Sequence, residues 1–448
     1  MKFFLLFLTF FLAVSAVTTN AQARKVFPYQ YKTDDLPNGL RVVTVPTDYP
    51  NLVSLYIVVG AGSRNEVEAG KSGFAHFFEH LMFRGSENYP AGRFDEIMKK
   101  AGASSNAYTS DDRTVYHETF AKEDLEEVMK LEADRFQKLK FSEEQYKTEA
   151  GAVLGEYNKN SASPFFKMNE VIRETAFRKH TYSHTTMGYL ADIKDYPNQY
   201  EYAGQFFNRF YRPENTTIVI VGDVKQPETL AMVKKYWSEW KRGDYQQQIP
   251  KEPAQTEARS KHIEWASATL PVVMVAYRAP AFSETEKDKA ALDLLGAIAF
   301  GNNSELYQRL VTNEQKAVVI GASADDNIDP ELFTAYAQVR DVKDLNYVRD
   351  EIIKTYKRFA SETVPQKQLD ETRSRQRYGF AMAMNSNDAI AGTLARFVAL
   401  RRSPETIDKV FALYDSITAD DIRRTAAKYF TDNSQTVVTL ATKKGDTK

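Results

Sequence analysis

His76, Glu79 and His80 stand in the pattern His-x-x-Glu-His, inside Gly73-Phe74-Ala75-His76-Phe77-Phe78-Glu79-His80-Leu81-Met82-Phe83. On a helix, residues four apart lie one turn apart on the same face. Two imidazoles so placed can grip one zinc ion. Glu79 flanks that face, where a carboxylate reaches a metal-bound water rather than the metal. Zinc lowers the pKa of such a water and polarises a carbonyl, and a neighbouring carboxylate can take the proton and hand it to a leaving amine. The chain has only six histidines, so chance is a poor account of this pattern, which is the inverted form of a known zinc-binding motif. His180 and His184 are also four apart, but no Glu lies between them and Gly, Ser and Thr crowd the segment. They read as loop residues, and His117 and His262 receive no role.

The elements around the motif must hold it in place and keep it dry. Phe74, Phe78, Leu81 and Phe83 give the histidine helix apolar neighbours that bury it and strengthen the electrostatics of its polar face. Residues 122–140 read as an amphipathic helix through Leu125, Val128, Met129, Glu132, Phe136 and Leu139. Ser142-Glu143-Glu144-Gln145 is a capping box that opens another helix. An Asn38-Gly39 turn precedes a strand at 41–45, with further strands expected at 53–59 and 216–221.

Residues 241–261 are polar and carry two prolines and a glutamine run, which predicts a linker. Beyond it the plan begins again, with a strand at 269–277, a helix at 287–300 and a last strand at 436–441. Leu55–Gly60 echoes Met274–Ala279 at an offset of 219 residues, and the chain's ending echoes Tyr211–Val221 at nearly the same offset. Two matches at offsets within one residue of each other point to a duplicated α+β unit. At that offset His76, Glu79 and His80 face Leu295, Ile298 and Ala299, so the second copy carries no such ligands. The predicted organisation is residues 24–240, a linker at 241–261 and residues 262–448.

Composition removes several classes. With no cysteine, disulfides, thiolate zinc sites, iron–sulfur clusters and cysteine nucleophiles are excluded. A net charge of −1 gives no reason to invoke nucleic acid. Residues 1–23 read as a cleavable targeting segment: a basic start, an apolar run from Phe3 to Val17, then Ala21-Gln22-Ala23. That predicts a periplasmic or secreted protein with no integral membrane segment after cleavage. The rival reading is a retained anchor.

Several stretches resemble, in order, the pitrilysin/insulinase metallopeptidases and their two-chain relatives, the mitochondrial processing peptidases: LPNGLRVV, VVGAGSRNE, GFAHFFEHLMFRGSENYP, SSNAYTSDDRTVYHETF, EAGAVLGEYNKN and FYRPENTTIVIVGDV. The resemblance covers about residues 30–225 strongly and the second half more loosely, through GNNSELYQRLV. It implies a third metal ligand at Glu156, with Glu149 as a supporting acid. Both lie two turns apart on one face of the helix begun at Ser142, although each alone would read as a solvated helix Glu. It implies a zinc-dependent endopeptidase holding a single Zn2+, with Glu79 as general base and peptides or unfolded segments as substrate. Asn106-Ala107-Tyr108-Thr109 matches the strand that, in the family, lies beside the metal and pairs with extended substrate. Asn106 is therefore a candidate substrate contact, or else a turn-forming Asn.

The family joins two α/β-sandwich domains into each half of a clam, and a chain of this size matches one half. The resemblance then implies a homodimer, or a heterodimer with a related chain lacking the metal motif. In such a second half an Arg and a Tyr often assist the reaction. Arg340 and Tyr347 have that spacing, but the position also falls near Phe333, so neither joins the catalytic set. Two other readings remain: a non-catalytic scaffold or binding subunit, and a narrow-specificity processing peptidase.

Overall fold

The computed structural model describes residues 25–443, and the targeting segment expected at 1–23 lies outside them. No helix among the described residues is long and apolar enough to cross a membrane.

The β-branched runs of the first half pair into one sheet. It comprises β1 (Lys32–Asp35), β2 (Arg41–Pro46), β3 (Leu52–Val59), β4 (Ser104–Thr109), β5 (Thr114–Ala121) and β6 (Thr216–Gly222), in the order β1-β2-β6-β3-β5-β4. A second sheet is built from β7 (Arg259–Trp265), β8 (Val272–Arg278), β9 (Ala317–Ser323), β10 (Leu332–Val339) and β11 (Gln435–Thr442), in the order β7-β11-β8-β10-β9. Without β1, the two orders correspond strand for strand. Each has one parallel pair at the same place, β2 with β6 and β7 with β11. The registers correspond as well. Ile57 on β3 faces Ile218 and Tyr116, while Ala276 on β8 faces Thr436 and Thr334. The duplicated α+β plan expected from the sequence echo is present.

Each half lends a helix to the other's sheet. The helix Asn387–Arg401 lies across β3 and β6, where Ile390, Leu394 and Val398 pack with Val43, Tyr56, Val58, Val219 and Val221. The helix Pro164–Ala176 lies across β7 and β11, where Met168, Ile172 and Ala176 meet Val272, Ala276, Val438 and Leu440. The opposite face of each sheet carries its own half's larger core. β6 is buried along its whole length. Cover on both faces is why TTIVIV reads as an unbroken apolar run rather than an alternating one.

Some boundaries differ from the sequence expectation. The segment 122–140 is a 3-10 turn at Lys122–Asp124, then a helix Leu125–Gln137. Leu139 has left the helix and bridges Ser86. The strand expected at 269–277 begins at Val272, after the exposed Leu270 and after Pro271, whose ring leaves no amide to donate to a ladder. The polar stretch from 241 stays irregular to 258, and β7 starts at Arg259. Leu295, Ile298 and Ala299 lie in the second core. Asp293, Gly296 and Ala297 of the same helix instead line a cavity of about 660 Å³, so a fixed sequence offset misjudges that helix's rotation.

Candidate metal centre

The helix Phe74–Leu81 is fixed from both ends of its chemistry. Its buried residues Phe74, Ala75, Phe77, Phe78 and Leu81 face the core. The Phe74 ring meets Tyr202 edge-on at 4.7 Å, and Phe77 stacks on Tyr196 at 4.6 Å. The N-cap residue Gly73 has φ of +80°, and a Cβ there would sit 2.3 Å from the Met187 carbonyl oxygen. Only glycine fits that approach. The first turn's amides are satisfied by buried Glu66, whose carboxylate accepts from Gly73 N at 2.6 Å and Ala75 N at 2.7 Å. A carboxylate at this position also complements the helix dipole.

With the apolar face committed to the core, His76, Glu79 and His80 project from the other side. The helix Glu143–Asn160 crosses that side, started by the Ser142/Gln145 capping box. One oxygen of Glu156 lies 3.6 Å from His76 Nε2 and 3.5 Å from His80 Nε2. Ligand atoms bound to tetrahedral zinc at about 2.0–2.2 Å stand roughly 3.3–3.5 Å apart. Among the described residues these three side chains form a group whose ligand atoms all lie within 4.8 Å of one another.

The protonation states suit a cation. Burial, then the neighbouring His80 charge, pulls the His76 pKa down to about 3, so its imidazole is neutral at pH 7. His80 Nδ1 lies 2.8 Å from Glu149 Oε1. In the neutral ring this bond puts the proton on Nδ1 and leaves the Nε2 lone pair turned toward Glu156. Burial opposes charge on His80, but the Glu149 bond and the charges of Glu149, Glu79 and Glu156 more than offset it, so its pKa is raised. Two neutral-capable imidazoles and a carboxylate, with no lysine or arginine in the group, are a donor set a divalent cation fits.

Glu79 stands beside this group. Its Oε2 accepts a hydrogen bond of 2.6 Å from the Thr109 hydroxyl. Burial raises its pKa, the Thr109 bond and His80 pull it back, and Glu156 raises it further, for a net upward shift. Thr109 was not singled out from sequence. Its role depends on β4 lying against the histidine helix, a long-range pairing with no local signal. Arg84 was also missed: its Nε lies 2.8 Å from Glu149 Oε2.

β4 is the edge of its sheet, paired on one side only with β5. Asn106 lies on it opposite His117, and its Oδ1 accepts from the Ala107 amide at 2.9 Å. The remaining histidines lie apart from the cluster. His180 Nδ1 accepts from Tyr182 N, and its Nε2 lies 3.1 Å from Asp329. His184 is buried, with Nδ1 at 3.0 Å from the Thr185 carbonyl. His117 stacks on Tyr56, and His262, exposed on β7, meets Thr439 of β11. Tyr347 bonds Arg309 and Glu314, while Phe333 is buried in the second core.

Comparison with known proteins gives a consistent result. A family model described as Insulinase (Peptidase family M16) matches residues 41–189, and one described as Peptidase M16 inactive domain matches 199–376. The zinc protease PqqE of Helicobacter pylori is 29% identical over 418 residues, spanning 92% of this chain and 93% of its own length. The crystal structure of a protease from Helicobacter pylori superposes with a TM-score of 0.85 at 28% identity, covering 92% of this chain and 99% of that one. The periplasmic protease PqqL from Escherichia coli superposes with a TM-score of 0.76 at 20% identity, covering 92% of this chain but 48% of its own. The fold described above is thus that of half of the PqqL chain. Both family models point the same way as the sequence motifs and the near end-to-end match, and the chain belongs to the insulinase family of peptidases, M16.

Proposed function

We propose that this chain is a zinc-dependent endopeptidase in which His76, His80 and Glu156 hold one zinc ion and Glu79 is the general base. The observation that supports this most is the convergence of two imidazole Nε2 atoms and one carboxylate oxygen beside a half-buried glutamate whose pKa is raised. When bound, the zinc supplies an acidified water and Lewis-acid polarisation of the scissile carbonyl. Glu79 keeps Oε2 on Thr109 and takes up a proton at Oε1, then returns it to the leaving amine nitrogen. Glu149 holds the His80 ring and its tautomer. The free edge of β4 pairs with extended main chain, with Asn106 as a contact. An edge of this kind suits peptides and unfolded segments, because main-chain pairing asks little of the side chains.

The reading extends to organisation and setting. The residues up to 240 form the metal-binding unit, 241–258 the connection, and the residues from Arg259 onward the unit without metal ligands; the repeated strand order supports this division, with the connection ending three residues earlier than the expected 261. This chain covers 48% of the length of PqqL, which supports assembly of this chain with a second copy or with a related chain lacking the histidine motif. The apolar start of the sequence and the periplasmic relative support a periplasmic or secreted location.

The test is cleavage of a quenched peptide by the purified protein, with and without a chelator, beside Glu79→Gln. Chelator-sensitive cleavage that Glu79→Gln abolishes while keeping its zinc supports the reading. Cleavage indifferent to both sinks it.

A further inference from the structure

We propose that Thr109 is a positioning residue for Glu79, fixing the carboxylate so that one oxygen is held and the other is presented for proton transfer; this rests on the reading of Glu79 as general base. A glutamate carboxylate sits at the end of three rotatable bonds, and an apolar surround does nothing to choose its rotation. Thr109 supplies that choice. Its hydroxyl donates to Oε2 at 2.6 Å, and no other hydrogen-bond donor reaches the Glu79 carboxylate among the described residues.

A positioning group must itself be held, and an edge strand frays readily at its ends. The end of β4 is secured by unusual means. Thr109 is opposite Thr114 on β5, and Thr114 is buried with its hydroxyl on the Ala61 carbonyl at 2.9 Å. The turn that follows is closed by Ser110 N donating to the Arg113 carbonyl at 2.8 Å. Its two carboxylates are then gripped from outside the sheet. Asp111 accepts from Ser63 at 2.8 Å, from Arg173 Nη2 at 2.8 Å and from Asn327 at 3.3 Å. Asp112 accepts from the Tyr182 hydroxyl at 2.7 Å and from the Ile328 amide at 2.8 Å. Asn327 and Ile328 belong to the second half. The half without metal ligands therefore clasps the turn two residues beyond Thr109.

The bland alternative is that Thr109 is an ordinary strand residue whose hydroxyl happens to be satisfied. Thr109→Val is nearly isosteric, keeps the β-branch that strands favour and removes only the donor. Thr109→Ser keeps the donor. General-base catalysis is worth about 10²–10⁴ in rate, and a base left free to rotate forfeits part of that. The experiment uses the full-length, zinc-loaded protein on a quenched peptide. Thr109→Val is expected to lower kcat about tenfold with KM within about twofold, at unchanged zinc content and Tm. Thr109→Ser is expected to restore kcat to within about twofold of wild type. In a Glu79→Gln background, Thr109→Val is expected to change the residual rate no further, because a residue acting through Glu79 has nothing left to act on. A wild-type kcat in Thr109→Val, an equal loss in Thr109→Ser, or an additive loss in the double variant overturns the proposal. If Glu79→Gln itself cleaves like wild type, the general-base reading falls and this inference falls with it.

Discussion

His80 and Glu149 are joined by a 2.8 Å hydrogen bond through Nδ1, and Glu149 is itself buried and placed 2.8 Å from Arg84. The histidine's other nitrogen is thereby left free and aimed at the cluster. A carboxylate behind a ligating imidazole is worth about 10–100-fold in metal affinity. Glu149→Ala is predicted to weaken zinc binding by about that factor in a chelator competition, and Glu149→Gln by less, since its carbonyl oxygen still accepts from Nδ1. Equal affinity in wild type and Glu149→Ala contradicts the assignment.

Asn106 is predicted to act on substrate rather than on the metal. Loss of one hydrogen bond of about 1 kcal/mol corresponds to roughly a fivefold weakening. Asn106→Ala should raise KM by about that factor at unchanged zinc content. A normal KM in steady-state kinetics returns Asn106 to a surface role.

The crossed helices predict cooperative unfolding. Leu394 is fully buried on a helix of the second half, yet it packs on the first sheet. Leu394→Ala is predicted to cost about 2–5 kcal/mol. Trp237 lies in the first core and Trp265 packs at the second sheet's outer face. Single-tryptophan variants that retain one or the other should therefore report one shared transition in denaturant. Two separated midpoints contradict interlocking.

A pH dependence follows from the clasp. Arg173 lies 2.8 Å from Asp111 and 3.6 Å from Glu331, so one guanidinium serves two buried carboxyls. Asp111, although buried, is held ionised by the closer pairing. Burial dominates for Glu331 and pushes its pKa up to about 7, despite Arg173. A carboxyl raised in the folded state contributes stability that is fully present below the ordinary Glu range and is lost as pH rises through about 7. The contribution is on the order of 3 kcal/mol. Tm measured from pH 4 to 8 should fall for wild type relative to Glu331→Gln, with the gap opening between about pH 4.5 and 7 and staying level above that. Parallel curves contradict this.

The histidine pair was legible because its chemistry is local: a helical turn sets the spacing, and the phenylalanines around it settle which face is buried. Glu156 was legible only through the family resemblance. A half-exposed helix glutamate carries no local mark of a ligand, and its meaning depends on a crossing helix 76 residues beyond His80. Thr109 and Arg84 were illegible for the same reason. β7 escaped notice because it is an edge strand with exposed Ser260, Lys261 and His262, which look like the polar linker before it. The exchange of helices between the halves left no trace, since an amphipathic stripe is the same whichever sheet it covers.

The central claim is that His76, His80 and Glu156 enclose one divalent ion. Elemental analysis of the purified full-length protein, beside Glu156→Ala and His80→Ala, tests it most directly. The account predicts about one zinc per chain in wild type and strong depletion in both variants. A wild-type protein that takes up no zinc from a zinc-containing buffer, or variants that hold as much as wild type, contradicts it.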